Sequence, residues 1–290
     1  MTDTVDPDPA LAVGRVLEAT DSVTTALVQR FRATLGSHLA PRRESEDAPL
    51  GLHWCLAPEA ASPDGVGADG HVARGRFLPE TPGLPRRMWA GGEIEFLAPI
   101  RIGDPVRKRS RIASVSRKEG RTGPLVFVAV EHAVETPRGL AVRERQDLVF
   151  RAAEVEATAS PATNRSPEIR PDPAFQAELA TDALLLFRYS ALTFNGHRIH
   201  YDAPYATGVE GYAGLVVQGS LQATLLLHAA VRLDAAGRPP TRFAYRGLQA
   251  LAVGTPARVL AWLPATDGSM RAEVRENGSG RTTMAATATW

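Results

Sequence analysis

Cysteine is almost missing from this chain. Cys55 is the one cysteine in 290 residues, so no intramolecular disulfide can form and no thiolate cluster can hold a metal. That usage points to a reducing compartment. Cys55 lies in the apolar run LHWCLA and reads as a small buried hydrophobe. An excess of charge is missing too. The formal net charge of +1 argues against nucleic acid as the main partner, which would need a strongly basic face. No apolar run approaches the roughly 18 residues of a membrane span. The acidic start MTDTVDPDPA lacks the basic-then-apolar layout of a secretory signal. The expectation is a cytoplasmic protein with no nucleic-acid and no membrane partner. What is present, 44% hydrophobic residues, is enough for a sizeable core. The length fits one large domain or two of roughly 150 residues.

Along the chain, residues 11–39 read as helical. In VTTALVQRFRATLG, Val23, Ala26, Leu27, Phe31 and Leu35 recur at spacings of three and four and make one apolar face. Residues 40–92 are irregular and rich in Pro and Gly, and SPDGVGADGH within them reads as a flexible turn cluster. A loop region this long in a compact protein is usually functional or disordered. From Glu93 the pattern is of strands. EIEF, VRKRSRIASV, LVFVAVEHAV and AVRERQDLVF are separated by turns at IGDP, KEGRTGP and TPRG, as in an antiparallel meander. Residues 153–173, rich in Ala, Ser, Pro and Glu, read as a linker between an N-terminal unit (1–152) and a C-terminal one (174–290). In the second unit LVVQGSLQATLLLHAAVRL (215–233) is apolar nearly all round, which predicts a central buried helix. Four strand-like runs follow it.

The two units align on each other. EIEFLAPIRIGDPVR (93–107) set above AYRGLQALAVGTPAR (244–258) matches Gly103 with Gly254, Pro105 with Pro256 and Arg107 with Arg258, without a gap, at an offset of 151. This suggests duplication of one sheet-bearing unit. Each unit must cover its apolar sheet face with something. The second has the 215–233 helix. The first has no equally good helix, and the LHWCLA region stands in its place.

The most unusual stretch is FNGHRIHYD (194–202). It holds an Asn, two His three residues apart and an Asp, in a chain with only seven His. Within YSALTFNGHRIHYDAPYA it resembles the hydratase signature of the MaoC-like, (R)-specific enoyl-CoA hydratase superfamily. Asn195 stands where that signature has its catalytic Asp, and His200 where it has its catalytic His. Asp202, Tyr205 and Ala206 also match. The run is similar to the mesaconyl-CoA (3-methylfumaryl-CoA) and itaconyl-CoA hydratases and to the 3-hydroxyacyl-thioester dehydratase type 2 group. LPRRMWAGGEIEF and GRTGPLVFV look like the FAS1-like dehydratase half that precedes the hydratase half in this branch. The resemblance implies an α+β double hot-dog fold, with two antiparallel sheets each wrapped on a helix and the first helix degenerate. It also implies a hydro-lyase acting on an acyl-CoA thioester without added cofactor or metal, as a monomer or homodimer. The substrate it favours is mesaconyl-CoA, hydrated to citramalyl-CoA.

Adding water across an α,β-unsaturated thioester needs an acid/base group, something to orient the water and donors for the enolate oxygen. His200 suits the first task, since both states of an imidazole are accessible near neutral pH. Asn195 cannot ionise, so it orients water through its amide. Gly219, near the start of the central helix, offers an N–H at the positive end of the helix dipole. The resemblance places Gln218 where relatives often have His, which makes it a substrate-binding candidate that alters what the pocket accepts. His197 is a candidate for a substrate carboxylate or for a structural hydrogen bond, and Asp202 is expected to orient His or a turn. Tyr201 completes the substrate-binding candidates of the signature. Arg86, Arg87, Arg198 and Arg246 are candidates for the CoA phosphates. Trp54 and Trp89, placed on the long loop, are candidates for the acyl pocket. Three other readings remain: a dehydratase of fatty-acid or polyketide synthesis, a thioesterase (which Asn195 argues against), and a non-catalytic acyl-CoA sensor. A cation at the far end of the acyl pocket would favour the dicarboxylic substrate over an alkyl one.

Overall fold

The computed structural model describes residues 8–41, 46–120, 123–153 and 172–290. The first part of the chain forms β1 (Val16–Ser22), α1 (Thr25–Leu35), β2 (Arg86–Phe96), β3 (Pro105–Gly120), β4 (Gly123–Thr136) and β5 (Gly139–Arg151). The second forms β6 (Phe175–Leu179), α2 (Ala183–Thr193), the short α3 (Ala203–Gly208), α4 (Gly219–Leu233), β7 (Arg242–Gly247), β8 (Ala257–Ala261), β9 (Met270–Glu276) and β10 (Thr282–Thr289). Ten strands join in one antiparallel sheet, in the order β1-β3-β4-β5-β2-β7-β10-β9-β8-β6.

That order reads the same from either end once β6–β10 are set equal to β1–β5. The duplication suggested by the sequence therefore appears as a pseudo-two-fold axis between β2 and β7. Glu93 and Ala244, made equivalent by the 151-residue offset, face each other across this junction. Gly103 and Gly254, matched by the same offset, both take the left-handed conformation, with φ of 93° and 79°. The helices that follow β1 and β6 are each capped by a side chain, Thr24 on α1 and Asp182 on α2. The linker expected at 153–173 lies almost wholly outside the described residues.

Helix α4 is the core of the second half. Leu221 to Val231 are buried on every side, as an apolar helix inside a curved sheet must be. Among the described residues the first half has no counterpart. Leu52–Cys55 make a single 3-10 turn, all four residues buried. This is the degenerate first helix of the double hot-dog arrangement. Burial pushes the Cys55 thiol up to about 12, which leaves it unreactive.

Three boundaries differ from expectation. Residues 16–22, inside the span read as helical, form strand β1. Their alternating burial is hidden in the sequence by the helical periodicity that begins at Thr25. Strand β2 starts at Arg86 rather than Glu93, so Arg86, Arg87 and Trp89 sit on the sheet and not on the loop. Helix α4 begins at Gly219, while the Val216 and Val217 amides donate to Ile199 and Leu251 in extended backbone. Uniform apolarity marks a buried segment but carries no signal for where its helix starts.

Candidate active site

The residues after α2 turn sharply, with Phe194 in the left-handed region at φ 52°. They then form a single 3-10 turn at Arg198–His200. Asp202 caps α3 through the Tyr205 amide at 3.1 Å and receives the Arg198 guanidinium at 2.7 and 3.0 Å. Asp202 thus orients a turn.

His200 is buried, and its Nδ1 lies 2.7 Å from the Val216 carbonyl oxygen. A carbonyl only accepts, so Nδ1 carries the proton and Nε2 presents a lone pair. Burial pushes the imidazole down to about 3, so the ring is neutral at physiological pH. Its Nε2 can take a proton once negative charge develops beside it. Asn195 Oδ1 accepts the His197 amide at 3.0 Å. That bond fixes the side-chain amide and leaves Nδ2 as the donor for a water molecule.

No side chain caps α4, so the N–H of Gly219, which lines the cleft, has no side-chain partner. A Cβ on Gly219 would come 2.4 Å from Cε3 of Trp89, so only glycine lets this ring close against the helix start. Trp89 in turn stacks on Tyr245 at 4.5 Å, and Trp54 meets both rings edge-on. Gln218 does not project as a second base. Its Nε2 donates to Leu186 O and Ser190 Oγ at 2.9 Å, which ties α2 to the entry of α4.

The first half reaches into this site through the SPDGVGADGH segment. Asp69 O accepts the Arg198 amide at 2.9 Å, and Ala68 O accepts from its guanidinium at 3.1 Å. His71 Nδ1 donates to Asp69 at 3.0 Å, and its ring lies 4.1 Å from that of His197. The His197 ring is itself 5.5 Å from that of His200. His197 turns Nε2 to Glu210 at 3.3 Å, and Glu210 is also 3.7 Å from Arg86. Donor atoms of Asp69, His71 and His197 lie within 4.8 Å of one another. The set is close enough for one cation, yet hydrogen bonds to protein already engage all three residues.

Part of this set lines one cleft of about 910 Å³. It brings together Asn195, His197, His200, Tyr201, Gln218, Gly219, Arg87, Trp89 and Trp54. Arg198, Arg246 and Arg86 do not line it. Arg198 is taken up by Asp202 and the Ala68 carbonyl, Arg86 sits by Glu210, and Arg246 is exposed at the junction with β2. A strand turns successive side chains to opposite faces, which separates Arg86 from Arg87 and Arg246 from Tyr245.

Residues 51–253 match the profile of the hydroxyacyl-thioester dehydratase type 2 family. The chain belongs to that family. It is 40% identical over 250 residues to the mesaconyl-C(4)-CoA hydratase of Chloroflexus aurantiacus, covering 86% of this chain and 87% of that protein. It is 26% identical to the mitochondrial hydroxyacyl-thioester dehydratase type 2 of Schizosaccharomyces pombe, covering 82% and 87%. Among solved structures, HtdX of Mycobacterium tuberculosis superposes with a TM-score of 0.66 at 18% identity, over 95% of this chain and 99% of that one. This member of the dehydratase family is accordingly a hydro-lyase of acyl-CoA thioesters. No helix among the described residues is long and apolar enough to cross a membrane.

Two parts of this member's site were not legible as such in its sequence. One is Asp69 and His71, read only as part of a turn cluster. The signal was there in the glycines: a Cβ on Gly70 would lie 1.9 Å from Gly196 O, so the two loops touch backbone to backbone. The other is a polar patch on the inner face of the first half-sheet, where Lys108, Ser110, His132, Glu144 and Gln146 project. Glu144 accepts from Trp54, Tyr245 and Gln146 at 2.8 to 3.0 Å. Burial opposes its charge, but these donors and nearby His53 hold its carboxyl well below the usual range. Alternation along β3, β4 and β5 gives the facing of these residues. Their convergence with Trp54 and Tyr245 around Glu144 emerges only once the sheet is assembled.

Proposed function

We propose that the cleft hydrates mesaconyl-CoA to citramalyl-CoA reversibly, with His200 as acid and base. The observation that carries the reading is the His200 ring. Its Nδ1–H is locked on Val216 O, and its Nε2 lone pair is left free in the same cleft as the uncapped start of α4. Asn195 Nδ2 holds the water. His200 Nε2 removes one proton as the water oxygen bonds to the β-carbon. The π electrons move onto the thioester oxygen, which receives the Gly219 N–H. His200 then returns its proton to the α-carbon. Only water and one proton are handled, so the reaction calls for no redox cofactor and no metal. The name and 40% identity of the Chloroflexus relative support the acyl group. The family's description supports a second reading, dehydration of 3-hydroxyacyl thioesters, which is the same chemistry in reverse on an alkyl chain.

The test is the loss of enoyl-thioester absorbance when purified protein meets mesaconyl-C(4)-CoA or crotonyl-CoA, with His200→Ala as control. Mesaconyl-CoA is expected to be consumed faster, and the variant to lose at least about 100-fold in rate. Preference for crotonyl-CoA would favour the second reading. Equal rates in wild type and variant would remove His200 from the mechanism.

A further inference from the structure

Arg87 is a cation in this cleft that the mechanism leaves unused. It projects from β2 on the same face as Trp89, two residues along, and Trp89 abuts the start of α4. It lines the cleft with His71, His197 and His200. Burial lowers its guanidinium to about 10, so it remains charged at neutral pH. Among the described residues it makes no hydrogen bond and has no carboxylate within 4.0 Å. Its neighbours Arg86, Arg74 and Arg198 are all paired or hydrogen-bonded. The two acids that feel its charge are otherwise placed. Asp69 is held by the ring and amide of His71. Glu59, which also lines the cleft, forms no ion pair with it within 4.0 Å.

A guanidinium withdrawn from water without an anion is costly, and the cost is relieved when a carboxylate or phosphate docks on its fork. Location decides between these anions. The CoA phosphates are separated from the thioester by the whole pantetheine arm. Arg87 instead shares the cleft wall with the catalytic turn: it lines the cleft with His71, whose tilted ring lies 4.1 Å from that of His197, beside His200. An anion on that wall is best supplied by the acyl group.

We infer that Arg87 binds a second carboxylate carried on the β-carbon of the substrate, and so makes the cleft selective for monothioesters of unsaturated dicarboxylic acids. The inference rests on the hydratase reading above and gives it the residue that chooses the acyl group. The other cation lining the cleft, Lys108, sits by the Glu144 patch, with Leu56 O at 3.5 Å. It serves as the comparison.

The experiment measures kcat/KM for mesaconyl-C(4)-CoA and crotonyl-CoA, which carries a methyl where the first carries its carboxylate trans to the thioester. Enzymes are wild type, Arg87→Met, Arg87→Lys and Lys108→Met, each checked for folding by its thermal midpoint. Arg87→Met is expected to lower the mesaconyl-to-crotonyl ratio about 100-fold. Arg87→Lys should recover part of it, since an ammonium keeps the charge but not the fork. Lys108→Met should leave the ratio within about threefold of wild type. If Arg87→Met does not fold, the ratio in Arg87→Lys decides, and an unchanged ratio there overturns the inference. So does an equal loss on both substrates, which would assign Arg87 to CoA or to the fold, or a ratio change in Lys108→Met instead. Wild type that hydrates only crotonyl-CoA would overturn the inference and leave the hydratase mechanism standing. Wild type that hydrates neither would remove both.

Discussion

Gly70→Ala tests whether the first half completes the site by docking its loop on the catalytic one. Gly70 sits at φ 88°, and a Cβ there would lie 1.9 Å from Gly196 O and 2.8 Å from its carbon. The left-handed backbone costs an alanine about 1–2 kcal/mol. Relieving the overlap means parting two backbones by about 1 Å, an overpacking penalty of about 1–3 kcal/mol. Parting also stretches the hydrogen bonds from the Arg198 amide to Asp69 O and from its guanidinium to Ala68 O, each worth about 1 kcal/mol net. The total against docking is about 4–7 kcal/mol, enough to lift Asp69 and His71 away from His197. The assay is turnover together with the thermal midpoint, read against Gly83→Ala. Gly83 has a similar φ of 72° with no atom within 4 Å of the built Cβ, so it reports the backbone cost alone. Gly70→Ala is expected to lose at least tenfold in kcat and to melt lower than Gly83→Ala, whose kcat stays near wild type. If the two variants match in both measurements, the loop does not support the chemistry.

Two further outcomes are expected. Asn195→Asp keeps an acceptor for the His197 amide but replaces the Nδ2 donor by an oxygen, so it should lose at least tenfold in kcat with little change in thermal midpoint. Full activity would mean that Asn195 shapes the turn and does not hold water. The second concerns acid stability. Burial holds His200 at about 3 and His132 and His228 at about 4 in the folded state, against about 6.5 unfolded. These pKa values are depressed, so the unfolded chain binds more protons, and stability is complete above about pH 6.5 and lost as pH falls toward 4. Three groups give a slope of up to about 4 kcal/mol per pH unit in that window. A thermal midpoint that stays flat from pH 6.5 to 5 in a low-salt pH series would contradict the buried, neutral state of these rings.

Much was determined by the sequence alone, because it depends on local order. The alternation of β3, β4 and β5, the apolar run of α4 and the Gly-Pro-Arg match at 103–107 and 254–258 all survive in the fold. The spacing of Asn195 and His200 survives as two side chains lining one cleft. What the tertiary structure decided concerns direction and partnership across long separations. Arg86 and Arg87 are neighbours in sequence, yet the pleat sends one to Glu210 and the other to the cleft. Arg198 looked like a phosphate ligand until Asp202 and the Ala68 carbonyl claimed it. Gln218 was expected to face the substrate, and it does line the cleft, but its Nε2 is spent on bracing α2. Asp69 and His71 lie more than a hundred residues from His197, and no local pattern marks them as its companions. A sequence states which groups are available. Which of them keep a free valence depends on what the fold brings against each one, and chemistry is done by the groups left unsatisfied.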